Sequence, residues 1–74
     1  MLQFHFHVKR GEVTVLDHEG IELADIEEAT NEAVRRGREI AKASALKGIS
    51  PGGVIVVVDE QWQPVCEMPF DADI

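Results

Sequence analysis

The chain contains little of what small proteins use for covalent stabilisation or for catalysis. Its 74 residues include one cysteine, one tryptophan, three phenylalanines and no tyrosine. The single cysteine, Cys66, excludes a disulfide within the chain. A domain of this size buries only about 60% of the surface of its unfolded chain. We therefore interpret residues 1–74 as one small domain that depends on a well-packed core, a metal or a partner subunit.

Long apolar segments are also missing. The longest uninterrupted apolar run, "VIVVV" at residues 54–58, has the length of a strand and is far shorter than a membrane span. The first ten residues lack the apolar segment of a secretory signal. The sequence therefore predicts a cytoplasmic protein with no membrane partner.

Basic residues are scarce. Seven Lys and Arg residues stand against fourteen Asp and Glu residues, which gives a formal net charge of −7. Phosphate backbones are bound by clustered Lys and Arg, and the one basic cluster, "RRGR" at residues 35–38, lies in a segment that is rich in Glu. We expect no nucleic-acid partner, whereas an acidic surface suits a basic protein partner or simple solubility.

Four segments of the sequence have the composition of β-strands. In "LQFHFHV", Phe4, Phe6 and Val8 share one face and the histidines share the other. "VTVL" follows a turn at Gly11 and predicts a second strand. After the helix, the continuous run "VIVVVD" predicts a strand that is buried on both faces. "PVCEMPF" predicts a last strand at a sheet edge, because proline cannot donate a ladder hydrogen bond.

The helix between these strand pairs has clear boundaries. Asp25 is a good N-cap and Glu28 completes a capping box, while Gly48 suits the position just after the last turn. The predicted buried stripe consists mostly of small residues, and Gly37 within it indicates close packing on the sheet. Its members are Ile26, Ala29, Ala33, Gly37, Ile40, Ala41 and Ser44.

The order strand, strand, helix, strand, strand predicts an α+β fold with a ββαββ layout. The most economical arrangement is a four-stranded antiparallel sheet of order 2-1-3-4 with one helix packed on one face. It places the strand with two prolines at an edge and the valine-rich strand inside.

The motifs "FHFHV", "DHEGIEL", "EEATNEAVRRGREIA", "VVVDE" and "MPF" resemble a family of small, chiefly proteobacterial proteins that is classed as a domain of unknown function. The resemblance covers nearly the whole chain and implies the ββαββ layout, with no activity attached. Relatives in this family usually carry an aromatic residue at the position of His5 and a glycine at that of Trp62. The second departure affects the type of turn between the last two strands.

His5 and His7 are the candidate ligands for a metal. Side chains two residues apart on a strand lie about 6–7 Å from each other, so the pair can supply two ligands of a tetrahedral zinc site. A third ligand is missing, since Cys66 is expected to face the core and His18 lies in a separate turn. We therefore expect no metal and no cofactor, and the alternative is a pH-sensitive interface.

Catalysis has no clear candidate. Cys66 lies beside Met68 in an apolar strand and lacks the base that a nucleophile needs, so we expect no catalytic residue and no enzyme. Trp62, near a hairpin tip, has two open interpretations. It either folds back on its own sheet or anchors a partner.

These observations predict a non-enzymatic binding or interaction module, expected to be a homodimer, with an unidentified protein partner as a further option. If Val54, Val56 and Val58 face the helix, Ile55 and Val57 lie on the other face with the histidines, although a slip of one residue exchanges the faces. The expected interface is His5, His7, Ile55, Val57, Val65 and Trp62. The alternatives are a metal- or ligand-binding accessory protein that uses the face of His5 and His7, and an antitoxin-like acidic inhibitor of a basic partner.

Overall fold

The first strand organises the sheet, because three other strands pair with it directly. The computed structural model describes residues 1–48 and 52–70. Part of the loop expected at residues 50–53 and the segment 71–74 lie outside the described residues. The elements follow in the order β1 (Leu2–Arg10), β2 (Val13–Val15), β3 (Ile21–Leu23), α1 (Ile26–Leu46), β4 (Gly53–Asp59) and β5 (Pro64–Phe70).

The α+β class, the antiparallel sheet and the single helix on one face are confirmed for the described residues. The order β2-β1-β4-β5 corresponds to the predicted order 2-1-3-4. One feature was missed, because the sheet has five strands and β3 also pairs with β1. β3 has only three residues, too few for an alternating pattern to identify it in the sequence.

The ends of α1 are set by local hydrogen bonds. The carboxylate of Asp25 accepts a hydrogen bond from the Glu28 N–H at 2.9 Å, and the Glu28 carboxylate accepts one from the Ala24 N–H at 2.7 Å. The first bond satisfies a donor that the first helical turn leaves unpaired, and the second ties the preceding residue, Ala24, to the helix. At the other end, Gly48 has a φ of 70°, which is the left-handed conformation that ends many helices. Both predicted boundaries are confirmed.

The core lies between α1 and one face of the sheet. Most of the predicted helix stripe is buried, but Ile26 is 52% exposed and instead borders a surface groove with Leu2 and Val65. The buried apolar residues of this layer are Phe4, Phe6, Ala29, Ala33, Ala41, Ile55, Val57 and Phe70.

Gly37 shows why the stripe is made of small residues. A Cβ atom at this position would lie 3.0 Å from the Cβ of Phe70 and 3.7 Å from the Cδ1 of Ile55. The helix backbone therefore rests directly on side chains of β4 and β5. This close approach was predicted from the glycine, and it accounts for a residue that lowers helix propensity by about 1 kcal/mol.

The register between β1 and β4 corrects the expected orientation of the valine-rich strand. Phe6 pairs with Val57 and Val8 pairs with Ile55, and directly paired residues share a face. Ile55 and Val57 are fully buried towards the helix, so the prediction that they face outward is wrong. A continuous apolar run carries no alternation, and the two possible registers differ by one residue.

Val65 is also displaced from its expected face. The pairing of β4 with β5 shifts between Val57 and Val58, whose partners are Cys66 and Pro64. Val65 is the unpaired residue of this β-bulge, and it packs against the helix-side core. The prediction that Val65 belongs to the outward face is therefore wrong as well.

The hydropathy of the helix bears on whether it could cross a membrane. No helix in residues 1–48 and 52–70 is both long enough and apolar enough to cross a membrane.

Gly37→Val should destabilise the fold, because a branched side chain would be forced against Phe70 and Ile55. Overpacking of this kind costs about 1–3 kcal/mol, measurable as a lower midpoint of urea denaturation. The matched control is Ala43→Val at an exposed helix position, where only the helix propensity changes, by less than about 0.7 kcal/mol. Equal stability of the two variants would contradict the close approach.

Candidate functional site

Asp17 fills a gap in the pairing along the outer side of β1. β3 pairs with residues 2–4 of β1 and β2 pairs with residues 8–10, so residues 5–7 have no strand beside them on that side. The Asp17 Oδ2 accepts a hydrogen bond from the Phe6 N–H at 3.0 Å, and its Oδ1 accepts one from the Gly20 N–H at 3.0 Å. A carboxylate thus takes the place of a strand carbonyl and folds the loop back onto β1.

The surroundings of Asp17 favour its charged form. Burial acts to raise the pKa of this carboxyl, but the N–H donors of Phe6 and Gly20 and the nearby Arg36 outweigh it, and the pKa is lowered from 3.8. Hydrogen bonds to a charged form stabilise that form. The hydrogen bonds that the Asp17 carboxylate accepts from the Phe6 and Gly20 N–H groups therefore persist at neutral pH.

The backbone of Asp17 also joins the two histidines of β1. Its carbonyl lies 2.9 Å from His5 Nδ1, and its N–H donates to His7 Nδ1 at 3.0 Å. Since a carbonyl can only accept, His5 must carry a proton on Nδ1. Since an N–H can only donate, His7 must present a lone pair on Nδ1, and is therefore neutral with its proton on Nε2.

Trp62 closes the other side of this cluster from the β4–β5 hairpin. The Trp62 N–H donates to the Asp59 carbonyl and the Asp59 N–H donates to the Gln63 carbonyl, both at 2.9 Å. These bonds describe a three-residue loop whose last residue takes the left-handed conformation. Trp62 indeed has a φ of 63°, a conformation that costs a residue with a Cβ about 1–2 kcal/mol.

The indole of Trp62 stacks on both histidines. Its ring centroid lies 4.2 Å from that of His5 and 5.6 Å from that of His7, with interplanar angles of 21° and 3°. Aromatic pairs at such distances contribute about 0.5–1.5 kcal/mol each beyond the area that they bury. The two contacts are thus large enough to offset the cost of the left-handed φ at Trp62.

The environment of His7 favours its neutral form. Burial lowers its pKa below 6.5, and the nearby His5 and His18 lower it further, while Asp17 acts in the opposite direction. The hydrogen bond from the Asp17 N–H requires the same neutral state. Stability linked to His7 is therefore complete above pH 6.5 and falls as the pH drops below that value, since the unfolded chain binds the proton first.

The structure brings together three of the predicted site residues and separates three. His5, His7 and Trp62 form one stack, whereas Ile55, Val57 and Val65 belong to the opposite layer. Trp62 folds back on its own sheet, as the first of its two interpretations predicted. It remains 50% exposed, and its role as an anchor for a partner stays a prediction.

Sequence reasoning did not identify the central position of Asp17. It also missed that Val56 and Val58 lie beside the histidines, since they pair with His7 and His5. For Asp17, the available signal was an Asp-x-x-Gly turn between two segments that both return to the same strand.

Within residues 1–48 and 52–70, no three His, Cys, Asp or Glu side chains are grouped so that they could hold a metal ion. Cys66 is half-buried rather than buried as expected, and its Sγ lies 4.0 Å from the hydroxyl of Thr30.

Similarity to a protein family extends over most of the chain. Residues 3–71 match the family described as a domain of unknown function, DUF6894. The chain belongs to this family. The match confirms the resemblance seen in the sequence motifs, and the departure at Trp62 falls on a residue in the left-handed conformation. The chain matches no curated protein and no solved structure.

Asp17→Ala should lower the free energy of unfolding by about 1–3 kcal/mol, because it leaves the half-buried Phe6 N–H without its acceptor. The difference from wild type should be complete above pH 3.8 and disappear as the pH falls through the lowered pKa of Asp17. Urea denaturation at a series of pH values measures both effects. Glu19→Ala, at an exposed carboxylate in the same loop, is the control and should change stability by less than about 0.5 kcal/mol.

Trp62→Ala should be less stable than Trp62→Gly by about 1–2 kcal/mol, because both variants lose the stack but only alanine keeps the cost of a positive φ. Thermal or urea unfolding of the pair gives the difference. At the neighbouring Gln61, which lacks a positive φ, the same two substitutions should rank in the opposite order. A glycine variant no more stable than alanine at position 62 would rule out the left-handed conformation.

Proposed function

We propose that this member of DUF6894 is a non-enzymatic interaction module that forms a homodimer through the helix-free face of its sheet. We define this face by His5, His7, Val54, Val56, Val58 and Trp62. The observation that carries the proposal is the half-exposed Trp62, which is held in an uncommon backbone conformation by its contacts with two histidines.

The composition of the helix-free face supports an interface. Val54 and Val56 remain partly exposed there, while α1 packs on the other face. Partly exposed valines next to a tryptophan form the mixture of aliphatic and aromatic surface that is enriched in the centres of interfaces.

Trp62 has the properties of an anchor residue. Its ring is fixed by stacking before any partner binds, so little side-chain freedom is lost on association. Tryptophan is also among the residues whose truncation costs most in interfaces. A rigid, half-exposed indole on the helix-free face therefore favours a role in binding.

The charges around the valines favour a second copy of the same chain. Lys9 pairs with Val54 from one side, and Glu67 pairs with Val56 from the other, so a basic and an acidic side chain flank the same patch. Under a two-fold axis, each Lys9 can approach the Glu67 of the partner, which makes the patch self-complementary. A dimer would also add the buried surface that a chain of this size lacks.

The state of the histidines supports a non-enzymatic role. The Nδ1 atoms of both His5 and His7 are engaged by the backbone of Asp17, and Trp62 covers their rings. A general base must reach its substrate. The free lone pair of this cluster is on Nε2 of His5, and His5 is only 5% exposed, while Nε2 of His7 carries a proton. The contacts of this cluster are those of a structural unit on an interface.

Wild-type protein should have the mass of a dimer in light scattering at high concentration, and Val56→Glu should have the mass of a monomer, because the new carboxylate would be buried without a partner. Asn31→Glu, on the exposed side of α1, is the control and should remain dimeric.

A wild-type protein that is strictly monomeric would overturn the proposal. A dimer that persists in Val56→Glu would move the interface away from the helix-free face, and the exposed Val13 and Val15 of β2 would then be the next apolar surface to test.

A further inference from the structure

We propose that the Asp17 backbone, held between His5 and His7 by its carbonyl and its N–H, is an acid-sensitive latch that releases Trp62 and the loop of residues 16–20 when His7 gains a proton. The latch consists of Asp17, His5, His7 and Trp62. It lies within a single chain, so it stands independently of the proposed dimer.

The hydrogen bond from the Asp17 N–H to His7 Nδ1, at 3.0 Å, gives the latch its direction. A proton on His7 Nδ1 would place two donors against each other, and that hydrogen bond would be lost. His5 behaves differently, because its Nδ1 faces the Asp17 carbonyl and can keep a proton there in either charge state. His7 is thus the member of the pair whose protonation conflicts with the folded geometry.

The loop packs against β1 and Trp62 packs against the two histidines, and these contacts connect His7 to the rest of the loop. A Cβ atom on Gly20 would lie 2.9 Å from His5 Nδ1 and 2.7 Å from the Phe4 carbonyl, so the loop rests directly on β1. Trp62 stacks against both imidazoles. A displacement of His7 therefore changes the contacts of Trp62 at the same time.

The charged groups around His7 come from several elements. On β1 they are His5, with ring centroids 6.4 Å apart, and Lys9 on the same face. The loop contributes Asp17 and His18, β5 contributes Glu67 across Val56, and Arg36 of α1 acts on Asp17. Burial lowers the pKa of His7 most, and the neighbouring His5 and His18 lower it further, while the Asp17 carboxylate acts in the opposite direction.

The single tryptophan makes the latch observable. Trp62 emission should shift to longer wavelength between about pH 8 and about pH 5, with a midpoint below 6.5, because the released indole gains water contacts. His7→Gln keeps a carbonyl acceptor for the Asp17 N–H but cannot titrate, so this shift should disappear. His18→Gln should keep the shift and move its midpoint to higher pH, since it removes a neighbouring positive charge.

Hydrogen exchange of wild-type protein provides a second readout that needs no variant. The protection factor of the Asp17 amide should fall about tenfold over the same pH range, whereas that of the Val57 amide in the centre of the sheet should not change. This difference separates local release from global unfolding.

Three outcomes would overturn the latch. They are constant Trp62 emission in wild type, an unchanged transition in His7→Gln, and an equal loss of protection at Asp17 and Val57. Val56→Glu should keep the emission shift even if it abolishes the dimer, so the latch and the dimer proposal can fail separately.

Discussion

The bond between the Asp17 carboxylate and the Phe6 N–H is the interaction on which the arrangement of this chain depends. β1 has two short strands on one side, and neither reaches the middle of β1. A strand edge with an unpaired N–H there would lose a buried hydrogen bond and invite association with other chains. The carboxylate of Asp17 closes the gap, and the backbone N–H and carbonyl of the same residue orient His7 and His5. Asp17 therefore both pairs the N–H of Phe6 in the middle of β1 and holds the two histidines in place.

Trp62 has a strained backbone and stacks on the two histidines of the same cluster. Residues held at unusual backbone angles persist when their surroundings fix them, and such residues concentrate at functional sites. Here the two imidazoles provide the surface that holds the indole. In the proposed dimer, the same contacts would prepare the indole for a partner, so the cost of its conformation is met before association.

The sequence predicts well whatever depends on local chemistry. Asp25, Glu28 and Gly48 mark the helix because capping is local, and Gly37 predicts close packing because a Cβ would not fit. The faces of β4 could not be predicted, since five apolar residues in succession fit either register and the bulge at Val65 depends on pairing with β5. The bridging position of Asp17 could not be predicted in full, because its partners His5, Phe6 and His7 lie 12, 11 and 10 residues earlier in the chain.

The most direct test of this account is the tautomeric state of the two histidines, which long-range ¹⁵N–¹H NMR spectra report near neutral pH. We expect opposite tautomers on the imidazole rings of His5 and His7. His5 should carry its proton on Nδ1 and His7 on Nε2, because one faces the carbonyl of Asp17 and the other faces its N–H. A proton on Nδ1 of His7 under these conditions would contradict the bridging geometry and, with it, the proposed latch.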